Sequence, residues 1–256
     1  MNVSALKEQV KKRVDEILPQ LVGLSDTVWD HPEYNFHEFH ACEAMSGLLR
    51  DFGFQVETGI GGLETSVKGV YDSGKEGPNI GIFGEFDAVP GMGHSCGHNL
   101  MCAMAVGAGE AVRSVISETG GRVTVFGTPA EEGGGGKIIM LKNGAFEGLD
   151  IAMILHSAND TVVNDISYSR TDVIVDFYGK TAHAATWPEE GVSALNPVPV
   201  SYTHLAFSYL NCKAGCSLHI CWMAGSGCAS GYRLFGCNCN TYNRCIRSGS
   251  WLENAV

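Results

Sequence analysis

NIGIFGEFDAVPGMGHSCGHN, residues Asn79 to Asn99, decides the fold. It opens on a short apolar run, Asn79 to Phe83, with the length and character of a buried strand. It closes against a segment, Leu100 to Ile116, in which Leu100, Met101, Ala103, Met104, Val106, Ala108, Ala111, Val112 and Val115 leave almost no polar side. That is the pattern of a buried helix. The alternation continues downstream. Arg122 to Gly127 (RVTVFG) predicts a second strand, Lys137 to Lys142 a short helix stopped at Asn143-Gly144, and Ile151 to Leu155 (IAMIL) a third strand. Strands separated by helices pair in parallel through right-handed crossovers, so the expected class is α/β, with a mixed, mostly parallel sheet flanked by helices.

A parallel sheet collects the carboxyl ends of its strands on one edge, and ligands bind there. Each of the three strands runs directly into chemistry. Glu85, Asp87, His94, Cys96 and His98 follow the first, Glu131 and Glu132 the second, and His156 the third. Asp87, Cys96, His98, Glu132 and His156 are therefore expected to gather in one metal-site volume. Cys96 and His98 would point about 200° apart on a helix, so a shared ion needs a turn between them, which Gly97 permits. Thiolate with imidazole favours zinc; carboxylates and imidazoles also accept manganese. The stretch TPAEEGGGG, Thr128 to Gly136, puts two adjacent carboxylates in a loop after a buried strand. Adjacent side chains diverge there, so one can hold an ion while the other handles the proton of a water activated by it. The four glycines let backbone approach a ligand closely.

Upstream, Leu6, Val10, Val14, Ile17, Leu21, Leu24 and Val28 step by three and four, which predicts a helix capped by Ser4 and kinked or split at Pro19. A second helix fits Glu38 to Asp51, and short strands fit Phe54 to Glu57 and Thr65 to Val70. His31, His37 and His40 read as surface or packing residues, and His94 as a neighbour of the site.

Composition narrows the function classes. The 256 residues carry a net charge of −11 without a basic patch, which argues against a nucleic-acid partner. No run of about 18 apolar residues is present, and the charged N-terminus lacks the pattern of a signal peptide, so the expectation is a cytoplasmic chain with no membrane partner. The composition breaks at Pro197. Lys213, Arg233, Arg244 and Arg247 against Glu253 give the tail +3, leaving −14 before it, and seven of the ten cysteines follow the break.

GEFDAVPGMGHSCGHN (Gly84 to Asn99), TPAEEGGGGK (Thr128 to Lys137) and GKTAHAA (Gly179 to Ala185) together resemble the aminoacylase and carboxypeptidase G family of di-metal peptidases. The Cys-Gly-His form is similar to its amidohydrolase branch, which holds p-aminobenzoyl-glutamate hydrolases, indole-acetyl-amino-acid hydrolases and related dipeptidases. The resemblance covers residues 1–196. It implies a zinc-peptidase-like catalytic domain over 1–163 and the start of an α+β lid or dimerisation domain over 164–196. It implies two divalent ions held by Cys96, His98, Glu132 and His156, with Asp87 orienting the centre. Glu131 would be the general base, and His183, from the lid, would polarise the scissile carbonyl. The implied activity is hydrolysis of an amide bond in a small N-acyl amino acid, dipeptide or aminobenzoyl-glutamate-like substrate, by a homodimer.

Past that point the pattern departs from the family. A strand is expected over Asp172 to Tyr178, and a helix beginning at Ser193 is expected to end at Pro197-Val198-Pro199. Residues 197–256 show no helical or strand period and no C-x-x-C pair, and are expected to be unrelated or frameshifted sequence, without a zinc cluster. The family's last histidine ligand is expected to be missing here, with His204 and His219 replacements in principle only. The alternative to an active hydrolase is a product of such a gene that keeps the metal edge without catalysis.

Overall fold

The computed structural model describes residues 2–163 and 176–200, together with the backbone of three short strands at Ser169–Thr171, Ser217–Leu218 and Cys237–Cys239. The chain forms two compact units, Met1–Thr161 and Val162–Val256.

The first unit is built on β3 (Asn79–Glu85), which lies parallel both to β4 (Arg122–Thr128) and to β5 (Ile151–Ile154). β1 (Gln55–Thr58) and β2 (Val67–Asp72) extend the sheet beyond β4 with antiparallel pairings, giving the order β1-β2-β4-β3-β5. The parallel half carries the strand–helix–strand pattern legible in the sequence, and the antiparallel half comes from the short upstream strands. Period-two alternation separates two apolar layers. Ile82, Val123 and Val125 pack with the long helices, whereas Phe83 and Phe126 pack with Met140 of α4 (Gly136–Lys142) on the other face. Covered on both sides, β3 and β4 read as continuous apolar runs.

Three helices cover the larger layer. α1 (Val3–Asp30) buries Ile17, Leu21, Leu24 and Val28, and α2 (Phe39–Asp51) buries Ala41, Met45 and Leu49. Two expectations for α1 are corrected. Its cap is Asn2, whose side chain accepts from the Ala5 amide at 3.3 Å, and the helix runs unbroken through Pro19. Pro19 and Asp15 are both exposed, so the carbonyl that loses its donor faces water. α3 (His98–Thr119) is long and apolar enough to cross a bilayer by length and composition, although scattered polar residues break its apolar run. Here it is a core helix, with Met101, Cys102, Ala105, Val106 and Ile116 buried against the sheet and α1.

In the second unit, β6 (Ser169–Thr171) and β7 (Ser217–Leu218) both pair antiparallel with β8 (Cys237–Cys239). The strand expected over Asp172 to Tyr178 is not found where it is described: β6 precedes it, 172–175 lie outside the described residues, and Asp176 to Tyr178 are irregular. Lys180 and Val192 exchange backbone hydrogen bonds of 3.0 and 2.9 Å as an isolated bridge. The prolines at 197 and 199, read as ending a helix, instead begin one. α5 (Pro197–Val200) is a single turn in which neither missing N–H has an intrahelical role, and Ser193 to Asn196 form the turn before it. The expectations for the tail cysteines, His204 and His219 lie outside the described residues.

Candidate metal centre

Three parallel strands deliver the polar groups to one edge of the first unit. β3 ends in Glu85 and leads through Asp87 and a loop to His98, the first residue of α3. β4 leads into Glu131 and Glu132, and β5 into His156. The five residues expected to gather do so. His98 Nδ1 lies 3.0 Å from both the carbonyl and Oδ1 of Asp87, and His98 Nε2 lies 4.0 Å from Glu132 Oε1. Asp87 Oδ2 accepts from the Glu132 amide at 2.9 Å, and Cys96 Sγ lies 3.6 Å from His156 Nε2. The donor atoms of Cys96, His98 and His156 fall within 4.8 Å of one another, and those of Glu85, His98 and Glu131 do the same.

Local backbone geometry makes the convergence possible. Gly97 sits at φ +79°, the left-handed turn that brings Cys96 and His98 to one side. A Cβ on Gly97 would strike the Ser157 side chain, whose hydroxyl donates to the Cys96 carbonyl at 2.8 Å. The glycines after Glu132 serve differently from the expectation. A Cβ on Gly133 would meet the Asn35 amide, and one on Gly134 the Phe36 ring, so these glycines admit side chains of the 33–38 loop rather than a ligand. Before them, buried Ala130 holds φ +53°, unusual for a residue with a side chain, in the turn that leads into the two glutamates.

Hydrogen bonds settle the orientation of the rings. Nδ1 of His98 meets only oxygen acceptors, and Nδ1 of His156 donates to the Ser157 carbonyl at 2.8 Å. Each neutral ring therefore turns an Nε2 lone pair toward the centre. For His98 that nitrogen lies 3.1 Å from Glu85 Oε2, yet neither buried atom has a hydrogen-bond partner among the described residues. A lone pair against a carboxylate requires a proton or a cation between them. The protonation tendencies agree. Burial disfavours a charged His98 ring, but the Asp87 hydrogen bond and the charges of Glu85, Asp87 and Glu132 outweigh it and raise its pKa. Burial, then Glu132, Glu131 and Glu85, push the Cys96 thiol up to about 12. Burial of its carboxyl and the charges of Glu85 and Glu132 raise Glu131, with Lys137 and His98 partly offsetting them, although the residue is exposed at its rim. A donor set of thiol, imidazoles and carboxylates with orphaned buried atoms fits divalent ions.

Glu85 and Lys137 are the two residues of the centre that had no role assigned from the sequence. Glu85 is buried and its Oε1 is ion-paired to Lys137 of α4. The signal was a carboxylate ending an otherwise apolar strand. His183 lies in the second unit, exposed, where its Nδ1 accepts from the Ala185 amide at 3.3 Å and lies 3.0 Å from Thr186 Oγ1. That leaves the neutral ring's proton on Nε2. His31, His37 and His40 are exposed, His31 stacking on His40 with centroids 4.8 Å apart. His94 is buried beside Trp29.

A convergent donor set on the carboxyl edge of an α/β sheet has the arrangement of a metal-binding site. The chain belongs to peptidase family M20/M25/M40, which its residues 76–209 match. It is 35% identical over 218 residues to the Xaa-Arg dipeptidase of Mus musculus, an alignment covering 78% of this chain and 49% of that protein. It is 33% identical over 204 residues to a p-aminobenzoyl-glutamate hydrolase polypeptide of Escherichia coli, covering 72% and 42%. The chain thus spans about half the length of the curated relatives it matches. Among solved structures, the aminobenzoyl-glutamate utilization protein of Klebsiella pneumoniae superposes with a TM-score of 0.64 at 19% identity, covering 90% of this chain and 69% of that one. A dinuclear metal-binding peptidase of Bacillus subtilis superposes at 0.61 with 18% identity, covering 88% and 64%.

Proposed function

We propose that this chain carries the metal centre of an amidohydrolase that cleaves the amide bond of a small dipeptide, N-acyl amino acid or aminobenzoyl-glutamate-like substrate. The observation that carries the reading is the His98 Nε2 lone pair facing Glu85 at 3.1 Å with neither atom hydrogen-bonded among the described residues, in a cluster that also holds Cys96, Glu132 and His156. Those four residues, Cys96, His98, Glu132 and His156, would hold two divalent ions, zinc by the preference of the thiolate, with manganese the alternative. When bound, the ions supply Lewis acidity and an acidified water. Asp87 fixes His98 through Nδ1 and Glu132 through its amide, so one carboxylate orients two ligands.

Glu131 is the proton carrier: it takes a proton from the attacking water and returns it to the leaving amine nitrogen. Burial and the Glu85 charge raise its pKa, which helps it hold the proton between the two transfers. His183 would present Nε2–H to the scissile carbonyl from a lid or dimerisation domain spanning 164–196, in a homodimer in the cytoplasm. Residues 197–256 are unrelated sequence in this reading. A second reading, metal binding without turnover, is favoured by the open β5 edge, which pairs only with β3 among the described residues.

The test loads the full chain with Zn²⁺ or Mn²⁺, removes excess ion, and measures bound metal together with release of free amine from a panel of dipeptides and N-acyl amino acids. Glu131→Gln should keep the metal while kcat falls by about 10²–10⁴. Glu132→Gln should lose metal, with added ion restoring part of the rate. Metal lost by the first variant and kept by the second reverses the two roles. A wild-type chain that binds no ion overturns the reading, and one that binds ions without turnover selects the second reading.

A further inference from the structure

Lys137 is the one lysine or arginine whose charge bears on the centre among the described residues, and it stands on α4, outside the three strand-end loops. Its ammonium pairs with Oε1 of Glu85, a carboxylate only 3% exposed. The opposite oxygen of the same carboxylate, Oε2, faces His98 Nε2 at 3.1 Å without a hydrogen bond among the described residues. One buried carboxylate therefore has a cation on one oxygen and an unpartnered ligand nitrogen on the other. Such a group is poised between two cations, the resident lysine and an ion entering on the His98 side.

We propose that the Glu85–Lys137 pair is a built-in counter-charge that sets how tightly the centre holds its ions, with Lys137 a positioning residue that keeps Oε1 of Glu85 off them. The proposal rests on the metal reading above. With five acidic donors around the centre (Glu85, Asp87, Glu131, Glu132 and the Cys96 thiolate formed on binding), two divalent ions and one lysine balance the charge. Removing the lysine leaves a buried carboxylate without its partner, which the protein then satisfies by turning Glu85 toward the ions. Removing the carboxylate instead leaves a lone ammonium beside the ions, where like charges repel strongly in a weakly screened site. The two single changes thus act in opposite directions on ion affinity, although both break the same ion pair. A pair that merely braces α4 against β3 would make both changes weaken binding, or leave it unchanged.

The test is competition of Zn²⁺ between the full chain and a chromophoric chelator, for wild type, Lys137→Met, Glu85→Gln and the double variant. Lys137→Met should lower the Zn²⁺ dissociation constant on the order of tenfold, and Glu85→Gln should raise it by a similar factor. The double variant should return to within about threefold of wild type, because the two charges leave together. Lys137→Arg should match wild type. Both single variants shifting the same way, or neither shifting, would overturn the proposal. Zn²⁺ binding absent from the wild type would instead overturn the metal reading on which it rests.

Discussion

Glu38 stands at the N-terminus of α2, fully buried, and its carboxylate accepts from the Phe36 amide and from Thr65 Oγ1, each at 3.0 Å, rather than from the helix. Burial raises its pKa, and the nearby Asp87 charge adds to that, while its hydrogen bonds pull the other way without cancelling the shift. A carboxyl that holds its proton more tightly folded than unfolded makes the fold less stable as pH rises through the folded pKa. The stability withheld at neutral pH returns as pH falls toward the unfolded pKa. Glu38→Gln keeps the size and can serve both neighbours without a charge. Its melting temperature relative to wild type should therefore be higher at pH 8 than at pH 5, with thermal unfolding followed by circular dichroism in the presence of a chelator. An equal offset at both pH values would remove Glu38 as the source. Its burial had no signal in the sequence, where a glutamate opening an amphipathic helix reads as a solvated first-turn acid.

At the scale of elements, the loop from β4 to α4 illustrates how function and packing share residues. Gly134 has ordinary backbone geometry, but a Cβ there would run into the Phe36 ring and approach Ala130. Gly134→Ala must push Phe36 or the loop aside, which overpacking data put at about 1–3 kcal/mol. Urea unfolding measures that cost, and Zn²⁺ affinity should fall with it, because the displaced loop carries Glu131 and Glu132. A stable variant with unchanged affinity would uncouple the loop from the centre. The strands and helices around this loop were legible because periodicity records burial: β3, β4, α3 and α4 begin or end within a few residues of their expected limits. The convergence of Asp87, Cys96, His98, Glu132 and His156 was legible for a related reason, since strand direction alone places them. What the sequence withheld were pairings across distance. Asn35 and Phe36 against the glycines, and Lys137 on Glu85, leave no period behind. Likewise, a proline reads the same whether it ends a helix, as expected at Pro197, or starts one, as found.

Taken as a whole, the sheet of the first unit ends on two edge strands, β1 and β5, each with one neighbour among the described residues. β1 (Gln55–Thr58) is a mostly polar edge, whereas β5 is an apolar one. Ile151, Met153, Ile154 and Leu155 are 44–53% exposed along it. Next to this edge, Phe83, Ile138, Leu141, Phe146 and Met153 line an apolar groove. An unpaired strand edge offers its N–H and C=O groups to any passing chain, and apolar side chains beside it add a reason to stay. The expected consequence is concentration-dependent self-association of the chain through β5. A single charge on such an edge costs little where the side chain is already half in water, yet it must be desolvated whenever a second strand docks. Met153→Lys should therefore keep the far-ultraviolet circular dichroism of the wild type, while light scattering at tens of micromolar protein shows a smaller hydrodynamic size and slower growth with time. A lysine on exposed Val3 of α1, by contrast, should leave association unchanged, since a helix offers no ladder of alternating N–H and C=O groups on which a strand can pair. If Met153→Lys associates as readily as wild type, β5 is not the contact, and the apolar surface that drives association lies elsewhere on the chain.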